Sequence, residues 1–209
     1  MIFNRSSKIP YYSQRNNKKR PSSACNVTAA TQACAITDNL FQHPAGEQPE
    51  DYLMGILETP EAWELLNIKF PGARCNPWNT SHCIAWAVNK ASGRRICRVE
   101  TVTLQEMLHH IIITGGAVVV GGKFTKSGHF VCIVGLDTEQ DIAEIRTVDD
   151  IDLSKIKNII IDDPWGDYTK RYKDPNGNDV LIPLADFNHL IFGKNKVKTA
   201  QMYYPSEAA

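Results

Sequence analysis

The chain has 209 residues, of which 43% are hydrophobic and 22% are charged, and its 23 lysines and arginines balance its 23 aspartates and glutamates. This length is sufficient for one globular domain with a sizeable core, which we expect to span residues 1–209. A zero net charge argues against nucleic acid as a partner, and the lack of any long apolar run argues against a membrane partner or a membrane span.

The six cysteines are expected to be reduced thiols of a cytoplasmic protein. The N-terminal stretch MIFNRSSKIPYY lacks the apolar core of a secretory signal peptide. Cys75, His82, Cys83 and Cys97 lack the paired CxxC or HxxxH spacing that is typical of a zinc site. We therefore expect neither a bound metal nor a cofactor.

The first half of the chain is predicted to be mainly helical. Residues 8–13 are predicted to form a short strand, and a polar loop follows them. A helix is expected over residues 25–38, because its Ala- and Thr-rich sequence contains no Gly or Pro. Apolar residues at helical spacing, or capping sequences, predict further helices over residues 51–58, 60–70, 82–90 and 104–114.

The second half is predicted to consist mainly of strands. Runs rich in Val and Ile occur at residues 117–120, 129–136 and 159–162, and weaker candidates occur at residues 168–172 and 199–204. Residues 174–177 read as a tight turn in which Gly177 supplies a positive φ. Helices followed by strands predict an α+β fold, with the helical N-terminal half packed on a C-terminal antiparallel sheet.

Four features in this predicted order indicate thiol chemistry. Cys25 opens a helix, where unpaired N–H groups and the positive end of the helix dipole favour the thiolate nucleophile. His129 begins a strand, and Asp162 and Asp163 end the next clear strand, so a base and the carboxylate that orients it can meet the thiol. Gln14 can add an amide donor to an oxyanion hole.

Each of these residues also has an ordinary structural interpretation. They can be a buried thiol, a core histidine, a turn aspartate and a loop amide, and the order Cys, His, Asp occurs in many proteins. Alternation along a strand places Asp162 and Asp163 on opposite faces, so that only one of them can meet His129.

The stretches IPYYSQRNN, SACNVTAATQA, SGHFVCIVG and IIIDDPWGD resemble, in their order and spacing, the papain-like cysteine peptidases of the bacteriocin-processing type. These are family C-39 and its relatives in bacterial and phage genomes. The resemblance implies a papain-like fold with Cys25 as nucleophile, His129 as general base and then acid, Asp163 as the orienting carboxylate and Gln14 as oxyanion donor. It favours Asp163 because this is the acid of the family's Asp-Pro pair. The implied activity is hydrolysis of a protein, a peptide or a cell-wall peptide.

Two further residues are expected to contact the substrate. Asn26 stands where many members of that family have glycine, so it either narrows the approach to Cys25 or binds the substrate backbone. Trp165 either walls the site or packs within a turn. The alternative functions are a papain-like module that binds without turnover and an acyl transferase that passes the acyl group to an amine.

Overall fold

A computed structural model describes residues 1–205, which contain helices on both faces of one antiparallel sheet. The helices are α1 (Cys25–Ile36), α2 (Pro49–Leu57), α3 (Pro60–Lys69), α4 (Ser81–Ser92), α5 (Leu104–Ile113) and α6 (Leu184–Ile191). The strands are β1 (Ile2–Asn4), β2 (Cys97–Val102), β3 (Ala117–Gly122), β4 (His129–Thr138), β5 (Ile156–Asp162), β6 (Val180–Pro183) and β7 (Lys198–Tyr203). The predicted mixture of helices with an antiparallel sheet is confirmed.

Strand β4 lies at the centre of the sheet. Within residues 1–205 the strand order is β2-β7-β3-β4-β5-β6, and β1 pairs with the later part of β4, beyond the start of β3. The first part of β4 pairs with β3, and the register Gly122↔His129 places the start of β4 beside the end of β3. Further along, Gly135 of β4 lies against β1, where an added Cβ would meet the carbonyl oxygen of Phe3 at 2.0 Å. Only glycine fits this approach of two backbones.

Two hydrophobic clusters cover the two faces of the sheet. One cluster joins α1, α2 and α4 to sheet residues such as Val119 and Cys132, and the other joins α5 and α6 to Val118 and Ile133. Neighbouring residues of one strand thus enter different clusters, as the period-two alternation of a strand requires. Helix α1 is buried along almost its whole length, which explains why small Ala and Thr side chains occupy all its sides.

The predicted helices in the first half of the chain correspond to α1 through α5, with bounds that differ by a few residues. The capping box at the start of α5 is formed as predicted: the Thr103 side chain accepts from the Glu106 N–H, and Glu106 accepts from the Thr103 N–H. The prediction misses helix α6 and strands β1, β2 and β6. The three strands are short, and α6 has only eight residues, although Leu184, Phe187 and Ile191 stand at helical spacing.

Three local predictions are wrong. Residues 8–13 form no strand, since Pro10 lacks a donor and the N–H of Tyr12 bonds instead to the side chain of Gln32. The weak strand at residues 168–172 is a short 3-10 helix, Tyr168–Lys170. Gly177 does not have a positive φ. It is needed for close approach, because an added Cβ would meet the carbonyl oxygen of Asp163 at 2.0 Å.

All six cysteines are free thiols. Among the described residues, no helix is both long enough and apolar enough to cross a membrane. Residues 1–205 also bring no three His, Cys, Asp or Glu side chains together in a way that suits a metal ion.

Candidate active site

Cys25 is the first residue of α1 and is partly exposed. The preceding residue, Ala24, has no side chain that can cap the helix, so the first N–H groups of α1 keep their donor capacity for a ligand. An anion at this position is stabilised by these N–H groups and by the helix dipole. Cys25 is therefore placed where a negatively charged reaction intermediate is favoured.

The loop that leads to Cys25 is held by α2. The carboxylate of Asp51 accepts hydrogen bonds from the backbone N–H groups of Lys18, at 3.0 Å, and Lys19, at 2.7 Å. Just before them in the loop, the side chain of Asn17 donates to the Thr28 hydroxyl of α1 at 3.1 Å. These bonds connect the loop to two buried helices, so the position of the thiol is fixed by the helical half of the molecule.

His129 and Asp163 come together because β4 and β5 are antiparallel neighbours. The chain enters β4 at His129 and leaves β5 at Asp162, so the two ends lie side by side. Nε2 of His129 bonds to Oδ1 of Asp163 at 2.7 Å, and the Trp165 N–H donates to the same oxygen at 3.0 Å. Both side chains are buried, with 5% and 0% exposure. This contact leaves Nδ1 of the ring free to face the thiol.

The electrostatics of the pair favour a charged imidazolium ring. Burial lowers the pKa of His129, but the hydrogen bond to Asp163, the charge of Asp163 and the proximity of Cys25 outweigh burial. The result is a pKa raised to about 9 from the ordinary 6.5. At neutral pH the ring therefore carries a proton, which is the form that pairs with a thiolate and protonates a leaving amine.

Asp162 points away from the histidine. Its Oδ1 accepts the backbone N–H of Asp179 at 2.9 Å, and burial raises its pKa to about 7. A carboxyl that is about half protonated at neutral pH is a weaker partner for an imidazolium ring than a fully ionised one. The geometry therefore brings Asp163, and not Asp162, to His129.

An aromatic cluster that sequence reasoning missed surrounds the His129 ring. Phe124 and Tyr172 meet the ring edge-on, with centroids 6.4 and 6.2 Å away, and Tyr168 packs against both of them. Burial, followed by the negative charge of Asp163, raises the pKa of Tyr172 well above its usual range, so its hydroxyl stays protonated. The cluster shields the His129–Asp163 pair from water, which strengthens their interaction.

Only weak sequence signals point to this aromatic cluster. In the sequence these aromatic residues are spaced irregularly. In the structure, Arg171 and Tyr172 both adopt left-handed backbone conformations, with φ of 54° and 60°. Non-glycine residues in that region carry local strain that concentrates at functional sites. This backbone feature marks the loop as specialised, but no residue pattern predicts it.

Gln14 lies in the short 3-10 helix Gln14–Asn16 and is almost fully buried. Its Nε2 donates to the carbonyl oxygen of Pro21 at 2.7 Å, and its backbone N–H donates to the carbonyl oxygen of Pro164 at 3.0 Å. Gln14 thus connects the segment after Asp163 to the loop before Cys25. One N–H of the side-chain amide remains for a further acceptor.

Asn26 does not line the cavity at Cys25, contrary to the prediction that it contacts the substrate. It is fully buried, and its Oδ1 accepts a hydrogen bond from Nε2 of Gln201 in β7 at 2.7 Å. The Tyr203 hydroxyl completes this network by donating to Gln201 at 2.8 Å. The residue after the thiol therefore fixes α1 to the sheet, because consecutive helical side chains point in different directions.

We expect Asn26→Ala to lower the free energy of unfolding by about 1–2 kcal/mol, because the buried amide of Gln201 loses its acceptor. The rate of alkylation at Cys25 should stay within about twofold of wild type, since Asn26 does not touch the cavity. Urea denaturation and iodoacetamide kinetics measure the two effects. Asn79→Ala is the matched control, since Asn79 is exposed and lines the cavity. A large change in Cys25 reactivity with unchanged stability would contradict this assignment.

Trp165 also differs from the prediction that it contacts the substrate. Its side chain is not among the residues that line the cavity, and the guanidinium of Arg15 covers its ring at 4.5 Å from the centroid. The Arg15 Nε also donates to the Trp165 carbonyl oxygen at 2.5 Å. Its connection to the site is through its backbone N–H, which holds the carboxylate of Asp163.

Cys25 and His129 open onto a cavity of about 790 Å³. Its walls are the loop before α1, the turn between β3 and β4, the end of α6 with the loop after it, and the start of β7. A space of this size accommodates several residues of an extended peptide or a small ligand.

No protein-family model matches the sequence, and no curated protein is similar to it in sequence. Among solved structures, a Bacillus anthracis protein described as a C-39-like peptidase superposes with a TM-score of 0.55 at 14% identity, over 97% of both chains. The chain has the fold of a C-39-like peptidase. This fold agrees with the family resemblance of the sequence motifs.

A second solved structure shows a weaker likeness. It is a double-glycine motif protease from an AMS/PCAT transporter in complex with its leader peptide. The TM-score is 0.34 at 14% identity, over 87% of this chain and 84% of that one.

Proposed function

We propose that this protein is a cysteine peptidase or amidase that hydrolyses a peptide-like amide bond. The observation that carries the proposal is the buried 2.7 Å bond between His129 and Asp163, placed beside a thiol at the start of a helix. A thiol, an imidazole and a carboxylate in this arrangement provide the three roles that nucleophilic amide hydrolysis needs. The cavity onto which the thiol opens supplies room for the substrate.

In the first half of the reaction, the Sγ of Cys25 attacks the carbonyl carbon of the substrate. The carbonyl π electrons move to oxygen, and the resulting tetrahedral intermediate carries a negative charge. His129, protonated at neutral pH because its pKa is raised to about 9, then donates its proton to the leaving nitrogen. The C–N bond breaks, an amine departs, and a thioester to Cys25 remains.

The negative oxygen of this intermediate needs two or more donors. The backbone N–H of Cys25 is one candidate, because it belongs to the first turn of α1 and has no acceptor within the helix. The second is the remaining N–H of the Gln14 amide, whose other N–H is directed to Pro21. In mutagenesis of other enzymes, one such donor is worth about 10²- to 10³-fold in rate.

In the second half, water replaces the amine. Neutral His129 takes a proton from a water molecule, whose oxygen attacks the thioester carbonyl carbon. The C–S bond breaks, and the product acid and the thiolate of Cys25 are released. Asp163 keeps the ring in one orientation throughout, because its carboxylate is itself held by the N–H of Trp165.

The substrate class that we propose is a peptide, either within a protein or in a cell-wall peptide. A peptide amide is the bond that this constellation suits, and the cavity is large enough for several residues of an extended chain. None of the steps requires a metal or an organic cofactor, because the thiol, the imidazole and water supply the atoms and protons that are exchanged.

Selective alkylation tests the proposed nucleophile. Cys25 and Cys75 are the two partly exposed cysteines, while the other four are buried. At pH 6 an ordinary thiol of pKa ~8.5 is only ~0.3% thiolate, so we expect iodoacetamide to label Cys25 about 10- to 100-fold faster than Cys75. Peptide mass spectrometry over a time course measures both rates in one sample.

Cys75 is the internal control for exposure, because its nearest polar neighbour is only the Thr80 hydroxyl at 3.6 Å. In the His129→Ala variant, labelling of Cys25 is expected to fall to the rate of Cys75, since the charged ring is lost. Equal labelling of Cys25 and Cys75 in the wild type would rule out the proposed nucleophile.

A further inference from the structure

The charged side chains that line the cavity at Cys25 are all basic. Three lysines line it, Lys123, Lys194 and Lys198, and His189 adds a group that can be protonated. No aspartate or glutamate is among the described residues that line it. In a chain whose acidic and basic residues balance at 23 each, this separation of charge is local to the cavity.

The three lysines are not neutralised by neighbouring acids. Among residues 1–205, none of them takes part in an ion pair, although other lysines such as Lys157 and Lys170 do. Lys123 and Lys194 are exposed, and Lys198 is partly exposed. Because uncompensated charges on concave walls add up, the cavity attracts an anion.

The helix ends around the cavity differ in their free backbone groups. At the end of α6 two carbonyls are already occupied: Leu190 accepts the N–H of Lys123 at 2.9 Å, and Asn188 accepts from Phe192 and Gly193 at 2.9 and 3.1 Å. On another wall, the N-terminus of α1 presents its positive end without a side-chain cap.

The lysines stand on a rigid base. Gly122 lies against α6 so closely that an added Cβ would be 2.6 Å from Cδ1 of Ile191. With the bond from Lys123 to Leu190, this contact fixes the β3–β4 turn to α6. Lys123 is therefore held beside α6, and Lys198, at the start of β7, pairs with Val102 of β2.

We propose that this cavity selects peptides with carboxylate side chains close to the bond that is cut. The inference rests on the proposed function for its chemistry, because the thiol defines which bond lies in the cavity. A carboxylate on the peptide pairs with Lys123, Lys194 or Lys198. This pairing places the adjacent amide bond at the Sγ of Cys25. The residues that confer the preference are on the β3–β4 turn and on the segment between α6 and β7.

Peptide binding to the Cys25→Ala variant tests this preference without turnover. The probes are fluorescein-labelled octapeptides of alanine and glycine that carry one glutamate, glutamine or lysine at each position in turn. Exposed charge pairs contribute up to about fivefold each, so we expect the best glutamate peptide to bind about tenfold more tightly than its glutamine counterpart. Fluorescence anisotropy at low and moderate salt measures this, and the difference should shrink with added salt.

Charge reversal identifies the residues. In Cys25→Ala with Lys194→Glu and Lys198→Glu, the preference should invert, so that the lysine peptide binds best. The matched control is Cys25→Ala with Lys155→Glu, because Lys155 is an exposed lysine in the 3-10 helix before β5, at the opposite end of that strand from Asp163. This control should keep the preference for glutamate. Equal binding of glutamate and glutamine peptides, or an equal response to Lys155→Glu, would overturn the inference.

Hydrolysis by the wild type separates this inference from the proposed function. If glutamate peptides bind selectively but none is cleaved, the charge preference stands and the peptidase assignment fails. If peptides are cleaved with the same kcat/KM for glutamate and glutamine, the peptidase assignment stands and the charge preference fails. Cleavage that favours glutamate about tenfold, and that is lost with Cys25→Ala, supports both.

Discussion

Replacing His129 with glutamine is expected to reduce amide hydrolysis by about 10³- to 10⁵-fold, because the side chain that accepts and donates the proton is lost. Glutamine retains an amide that can reach Asp163, so the buried carboxylate keeps a hydrogen-bond donor. The fold should therefore persist, and circular dichroism with thermal unfolding checks this. The rate is measured as kcat/KM on the best peptide from a library.

The control for this substitution is His43→Gln. His43 is exposed in the loop before α2 and does not line the cavity, so its replacement should leave kcat/KM within about twofold. If His129→Gln retains more than a tenth of the wild-type rate while folding normally, the proton does not pass through this ring, and the mechanism proposed above is wrong.

Asp163→Asn is expected to lower kcat/KM by about 10²- to 10⁴-fold, with a smaller effect on KM than on kcat. The amide of asparagine removes the negative charge that favours the imidazolium and can hold the ring with the wrong proton placement. Asp162→Asn is the matched control, because the Asp162 carboxylate accepts from the N–H of Asp179 and does not contact His129. An equal loss in both variants would deny Asp163 a specific role.

The pH dependence follows from the raised pKa of His129. A group whose pKa is higher in the folded state stabilises the fold fully below its unfolded pKa of about 6.5, and this stabilisation is lost as the pH rises through about 9. The stability difference between wild type and Asp163→Asn should thus be largest near pH 6 and should narrow towards pH 9.5. Urea denaturation at several pH values measures it. A difference that widens with pH would contradict the assignment of the shift to this pair.

The same shift sets the alkaline limit of activity. In the wild type, rates that need a protonated His129 should fall as the pH passes about 9. In Asp163→Asn this fall in rate should occur at a lower pH. The variant lacks the negative charge that opposes the effect of burial, so the pKa of His129 should be lower.

The sequence predicted the elements that carry the reacting groups because those elements have strong local signals. An uninterrupted Ala- and Thr-rich run predicts α1, and Val- and Ile-rich runs predict β3, β4 and β5. Cys25, His129 and Asp163 stand at the ends of these elements, so their positions followed once the elements were known. The choice between Asp162 and Asp163 needed the family resemblance, since alternation excludes one of them without saying which.

The surroundings of the site were harder to predict, because they depend on tertiary packing. Asn26 was assigned to the substrate, yet the sheet requires a polar partner for Gln201, and only the folded structure brings β7 beneath α1. For Trp165 the sequence leaves open whether it walls the site or packs within a turn, and the contact that decides, with Arg15, joins residues distant in sequence. The aromatic cluster around His129 depends on a loop with a left-handed backbone, which no periodic pattern reveals.

The strand order determines when, during synthesis, the cavity around Cys25 is completed. Strand β7 lies between β2 and β3, although it is the last strand in the described chain, and it carries part of the cavity wall at Lys198. Among the strands of residues 1–205, β7 is the last to be synthesised, and its pairing brings together segments far apart in sequence, which is entropically costly and slow. A nascent chain can therefore expose Cys25 without a finished cavity around it.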